Sequence, residues 1–134
     1  QDANDLGANA FLNSKDEIDV EAAQSSMDFI LVTVAAPLNW DALIGCLKPR
    51  GILHLVGAAA KVDLTPFPMI LGQKSFSGSP VGSPETINKM LEFCARHGIK
   101  PMIETFPMSK ANEAMEHLEE GKARYRIVLE NDLS

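Results

Sequence analysis

Two short apolar runs constrain this chain more than anything else in it: Asp28-Phe-Ile-Leu-Val-Thr-Val34 and Gly51-Ile-Leu-His-Leu-Val-Gly57. Each has the length of a strand, is too short for a buried helix, and is closed by small or turn-forming residues. Near-continuous apolar character, rather than alternation, implies that both faces are covered, as in a parallel sheet between helices. One helix-sized segment lies between the runs. Asn39 offers an N-cap there, and Trp40, Leu43, Ile44 and Leu47 recur at i, i+3, i+4 and i+7, one helix face. The pair therefore reads strand, crossover helix, parallel strand. Such a unit buries little by itself, so the remaining residues are its neighbours or pieces whose neighbours lie elsewhere.

Bulk properties set the outer limits. A chain of 134 residues with 46% apolar content suffices for one ordinary domain or parts of two. The net charge of −6, with no basic run, argues against nucleic acid or an acidic membrane surface as partner. No stretch has transmembrane length and no signal-peptide pattern is present, so the expectation is a soluble, cytoplasmic protein. Cys46 and Cys94 each fall on the apolar face of an expected helix and read as free buried thiols. There is no Cys-x-x-Cys and no His/Cys cluster, so no structural zinc site is expected within the chain.

In order, Gln1 to Gly7 reads as the last turn and a half of a helix ended by Gly7, too short to nucleate alone. The chain is therefore expected to begin part-way through a larger fold. Ala10 to Asn13 is a short strand candidate, and 14–27 a loop with at most a weak helical turn or two. Pro37 closes the first run, and Pro49-Arg-Gly51 turns the chain into a strand over 52–56. Gly57-Ala-Ala-Ala60 then places small residues just past a strand's carboxyl end. Two readings fit: close backbone approach of a ligand, or close helix–strand packing.

Phe67 to Leu71 suggests a short helix within an irregular stretch. A third strand starts at Ser75 and runs into Ser79-Pro-Val-Gly-Ser83. Ser83, Pro84 and Glu85 open a helix whose apolar face is Ile87, Met90, Leu91 and Cys94, ended by His97-Gly98. Residues 101–106 read as a strand with Met102, Glu104 and Phe106 on one face. Ser109 is expected to cap a helix carrying Ala111, Ala114, Met115 and Leu118, and Gly121 to stop it. Glu113 and His117, at i, i+4, read as a surface pair. His54, in mid-strand, reads as a core or second-layer residue rather than a base. Arg124 and Arg126 share one face of the last strand, either to grip an anion or as a salt-bridged edge.

Glycine-rich dinucleotide, phosphate-loop and nucleophile-elbow motifs are all absent from the sequence. Taken as an ordered set, however, several segments resemble the C-terminal portion of a medium-chain, zinc-type alcohol dehydrogenase. They are Phe29-Ile-Leu-Val-Thr-Val-Ala-Ala-Pro37, Leu47-Lys-Pro-Arg-Gly-Ile-Leu-His-Leu-Val-Gly57, Ser77-Gly-Ser-Pro-Val-Gly-Ser83, Leu91-Glu-Phe-Cys94 and Arg124-Tyr-Arg-Ile-Val128. The branch they resemble is the cinnamyl-alcohol-dehydrogenase-like group, which reduces aldehydes with NADPH.

That resemblance implies an α/β fold: a partial doubly wound (Rossmann) parallel sheet lacking its first two strands, plus a strand–helix–strand piece of the catalytic domain. Residues 1–98 would be the C-terminal part of the dinucleotide-binding domain and 99–134 a segment of the catalytic domain. It implies a parent enzyme that interconverts primary alcohols and aldehydes by hydride transfer with NADP. The parent's zinc ligands and glycine-rich loop would lie upstream, leaving this fragment inactive alone and without catalytic or metal residues. Thr33 and Val34 would lie near the adenosine side of the cofactor. The backbones of Val56, Gly57, Ser79 and Val81 would meet the nicotinamide carboxamide, with Pro80 between the last two lacking an N–H. Arg126 would reach the cofactor phosphates. Strand 75–79 and the Pro66–Leu71 region would form a homodimer seam. The strand over 28–34 would have a bare edge, which Ala10–Asn13 or another chain is expected to cover. Two other readings stay open: a zinc-free quinone or enone reductase of the same superfamily, and a non-catalytic binding or dimerisation module.

Overall fold

The computed structural model describes residues 2–59 and 61–133; Gln1 and Ala60 of the readings above lie outside the described residues, as does Ser134. Two compact units result, Gln1–Val81 and Gly82–Ser134.

In the first unit, α1 (Asp2–Asp5) closes at Gly7, whose φ of +95° suits glycine. The four residues Ala10 to Asn13 are not a strand. The Asn13 N–H donates instead to Asp19 Oδ2 (3.0 Å), and Asn13 Oδ1 accepts from the Lys15 N–H (3.1 Å), so local side-chain bonds turn the chain. Helix α2 (Glu17–Ala22) follows, capped by the Asp16 carboxylate on the N–H groups of Ile18 and Asp19.

The sheet is built from β1 (Met27–Val32), β2 (Leu47–Leu55) and β3 (Ser75–Gly78), all parallel, in the order β1-β2-β3. Helix α3 (Trp40–Cys46) is the crossover, with the Asn39 side chain accepting from the Ala42 N–H at 3.1 Å as its cap. Helix α4 (Pro66–Gly72) precedes β3. In register, Ile30, Leu53 and Phe76 share one face, and this face carries the core of Val32, Trp40, Ile44, Leu47 and Leu53. Trp40 meets Phe76 edge-on at 6.2 Å. The opposite face, with Phe29, Leu31 and Ile52, is exposed. The expectation of a sheet covered on both sides thus holds on one side only: an apolar run records that cover is needed, not that the same chain supplies it. Nor does any described strand pair with the outer edge of β1; residues 10–13 leave it bare.

Asp41, in the first turn of α3, accepts from both the Thr65 N–H (2.8 Å) and the Thr65 hydroxyl (2.6 Å) just before α4. The hydroxyl first, then the N–H, hold its carboxyl below the ordinary range. A depressed folded-state pKa contributes stability above the unfolded value, near 4, that is lost as pH falls through the folded value. Asp41→Asn is therefore expected to lower stability at neutral pH and flatten the decline below about pH 4, read by urea unfolding at graded pH.

The second unit opens with α5 (Pro84–His97), which Ser83 caps through the Thr86 N–H and Gly98 ends at φ +66°. Its apolar residues Ile87, Met90 and Leu91 are exposed. The compact unit containing this helix starts at Gly82. Strands β4 (Ile103–Pro107) and β5 (Arg126–Glu130) form a parallel pair joined through a 3₁₀ turn (Met108–Lys110) and α6 (Ala111–Glu119). Ser109 does not cap α6. It lies inside the 3₁₀ turn and binds Asp132, through its N–H at 2.9 Å and its hydroxyl at 2.6 Å. The expected Glu113–His117 pair does not form either: Glu113 pairs with Lys110 at 3.1 Å, while His117 crosses to Glu104 on β4 at 2.7 Å. Gly121, at φ +68°, ends α6 as expected.

Candidate functional site

Parallel strands deliver their carboxyl ends to one edge of a sheet, where the ladder gives out and backbone groups become available to a ligand. At this edge the Val32 carbonyl accepts from the N–H groups of Val56 (3.0 Å) and Gly57 (3.1 Å), and the Leu55 carbonyl from that of Ser79 (3.1 Å). These bonds bring Thr33, Val34, Val56, Gly57 and Ser79 together, with Pro80 and Val81 following along the chain. Gly57 has a definite packing reason here. A Cβ on it would stand 2.5 Å from the Val34 carbonyl oxygen and 2.9 Å from the Thr33 carbonyl carbon. The close approach is to the neighbouring strand tip rather than to a helix.

Three valines are presented outward at this edge: Val34 and Val56, each 48% exposed, and Val81, 86% exposed. Among the described residues, no hydrogen bond takes up the Ser79 carbonyl or the Val81 N–H. Pro80 has no N–H to offer, so the pair straddling it supplies one acceptor and one donor. That is the complement of a primary carboxamide. Thr33 and Val34 also line a groove of about 470 Å³ whose wall includes Ile30, Leu38, Leu43 and Cys46. Its lining is mainly apolar, with Lys15, Thr33 and Asn39 among the polar residues in the wall. Burial pushes the Cys46 thiol up, against a smaller opposing pull from Lys74, so it stays protonated and inert.

His54 proves to be a second-layer residue of a specific kind. Its Nδ1 lies 2.9 Å from Ser77 Oγ and its Nε2 2.9 Å from Ser79 Oγ, and Phe29 stacks against the ring at 6.2 Å. The sequence signal was present in Ser77 and Ser79 at i, i+2 on a strand, but only the pairing of His54 with Ser77 makes it legible. Arg126 belongs to the second unit, where it is exposed on β5 and its N–H donates to the Met102 carbonyl at 3.3 Å. Among the described residues no group of three or more His, Cys, Asp or Glu could hold a metal ion. No described helix is long and apolar enough to cross a membrane.

The zinc-binding dehydrogenase family matches residues 1–96. An aldehyde reductase from Synechocystis sp. is 46% identical over 93% of this chain and 38% of its own length. A probable cinnamyl alcohol dehydrogenase from Arabidopsis thaliana is 45% identical over 93% of the chain and 35% of its own length. A solved cinnamyl alcohol dehydrogenase from Sorghum bicolor superposes with a TM-score of 0.86 at 37% identity, over 96% of this chain and 36% of that one. The chain thus spans little more than a third of the length of these relatives. With three parallel strands, their small-residue tips and these matches in agreement, the chain belongs to the zinc-binding dehydrogenase family and corresponds to the C-terminal portion of its cinnamyl-alcohol-dehydrogenase-like members.

Proposed function

We propose that this chain is the nicotinamide-holding part of an NADP(H)-dependent alcohol dehydrogenase that interconverts primary alcohols and aldehydes. The observation that carries the reading is the carboxyl edge of the sheet, where the Ser79 carbonyl and the Val81 N–H have no hydrogen-bond partner among the described residues and Val34 and Val56 are exposed. The names of the relatives, aldehyde reductase and cinnamyl alcohol dehydrogenase, support the substrate class.

In this reading Val56 and Gly57 lie against the carboxamide, Ser79 accepts from its NH₂ and Val81 donates to its oxygen. Pro80 fixes the spacing between those two groups through its restricted φ. Thr33 and Val34 flank the adenosine side. Arg126 is the candidate phosphate contact because its guanidinium is permanently charged and forked. When bound, the nicotinamide supplies the hydride exchanged with the carbonyl carbon. The chain's own task is to hold one ring face at the right distance. Zinc belongs to the proposed parent, held by ligands outside this chain. The same reading makes residues 1–98 part of the cofactor domain and 99–134 part of the catalytic domain. It places the working protein in the cytoplasm, as a homodimer joined along β3 and α4.

Titrating the 134-residue chain with NADPH, followed by amide shifts and nicotinamide fluorescence, tests the proposal. Saturable shifts at Val56, Gly57, Ser79 and Val81 are expected with a Kd of roughly millimolar order, about −4 kcal/mol, and no turnover of an aldehyde. Absence of saturable shifts at these four amides would overturn it.

A further inference from the structure

We infer that His54 is a positioning residue for the nicotinamide contact, locking the tip of β3 so that the Ser79 carbonyl and the Val81 N–H keep one orientation. The inference rests on the cofactor reading above and extends it to a residue that does not itself touch the cofactor.

Its first support is geometric. His54 is the one polar side chain within the apolar run Ile52 to Val56, where an aliphatic residue would satisfy the strand. Both of its ring nitrogens are engaged, each 2.9 Å from a serine hydroxyl on β3 or its extension. A neutral imidazole has one donor and one acceptor, so one serine must accept and the other donate. Phe29 stacks on the ring from β1, at an interplanar angle of 23°. One side chain therefore links all three strands on the sheet face that has no helix over it within the first unit.

The second support is positional. Past Gly78 the β2–β3 ladder ends, and the last backbone bond is that of the Ser79 N–H to the Leu55 carbonyl. Pro80 can add none. His54 Nε2 supplies the only further attachment of Ser79 among the described residues, at the point where the chain leaves the sheet. A residue held by one backbone bond can pivot about it; a second bond through the side chain removes that freedom. Fixing a donor and acceptor before the ligand arrives is how a site gains affinity without a new contact.

The test uses the ¹⁵N-labelled chain, NADPH as probe, and three variants: His54→Leu, His54→Asn and Ser79→Ala. His54→Leu is expected to weaken NADPH binding about fivefold, while His54→Asn, with one donor and one acceptor, recovers part of the loss. Ser79→Ala, at an exposed position, should reproduce the weakening even if His54→Leu fails to fold. Long-range ¹H–¹⁵N spectra of the His54 ring should report a single tautomer in the parent chain and tautomer averaging in Ser79→Ala, a signature that packing alone would not move. Saturation of the parent chain together with binding within twofold in every folded variant would overturn the role of His54 and leave the cofactor site standing. Failure of the parent chain to saturate would overturn both.

Discussion

Gly57→Ala is expected to damage both the sheet and the proposed cofactor edge, although it adds a single methyl group. The added Cβ would lie 2.5 Å from the Val34 carbonyl oxygen and 2.8 Å from its carbonyl carbon. Those are backbone atoms, so no side-chain rotation relieves the clash. The tip of β2 has to withdraw from β1, stretching the bonds from the Val56 and Gly57 N–H groups to the Val32 carbonyl. Overpacking of this kind costs about 1–3 kcal/mol, and each weakened hydrogen bond adds up to about 1 kcal/mol. Urea unfolding followed by circular dichroism reads the loss. The NADPH titration should show shifts at Gly57 and Val81 that no longer saturate.

Gly121→Ala is the matched control. Its φ of +68° makes alanine unfavourable by about 1–2 kcal/mol, yet nothing lies within 4 Å of the added carbon and the residue belongs to the second unit. It should lower stability and leave the NADPH response intact. If Gly57→Ala instead binds and unfolds like the parent chain, the contact between the two strand tips places no constraint on the site.

What the sequence made legible divides by distance along the chain. Asn39, Ser83, Gly98 and Gly121 act within a few residues of themselves, and each does in the structure what its position suggests. The central strands were legible because their apolar runs are unbroken and too short for a buried helix, although β2 begins at Leu47, which the helical spacing had claimed. Ala10–Asn13 was not, because four residues carry too little pattern to outweigh the side-chain bonds made by Asn13 and Asp19. The errors at Ser109 and His117 share another cause. Their partners, Asp132 and Glu104, lie 23 and 13 residues away, and no local rule ranks a distant carboxylate above a nearby one. The proposed site follows the same division. Small residues at strand ends marked the edge, whereas the His54–Ser79 contact appeared only once the register was known.

The one-sided core gives the last prediction, and its effect is the largest. Leu53 is fully buried between Ile30 and Phe76 in register, within the cluster around Trp40 and Ile44. Truncation to alanine at such a site costs about 2–5 kcal/mol. A unit the size of Gln1–Val81 has roughly 4–12 kcal/mol of stability at typical values per residue. With one sheet face uncovered and the β1 edge bare, this one belongs near the lower end. Leu53→Ala should therefore abolish cooperative unfolding, with Trp40 emission already red-shifted before denaturant is added. Ile52→Ala, one residue away on the opposite face and still 39% exposed, should cost less than Leu53→Ala, because part of its side chain stays in water in the folded chain and no sealed cavity is left behind. The contrast between neighbours is the measurement. Comparable losses at the two positions would mean that the exposed face is covered in solution, and a concentration-dependent unfolding midpoint would identify a second copy as the cover.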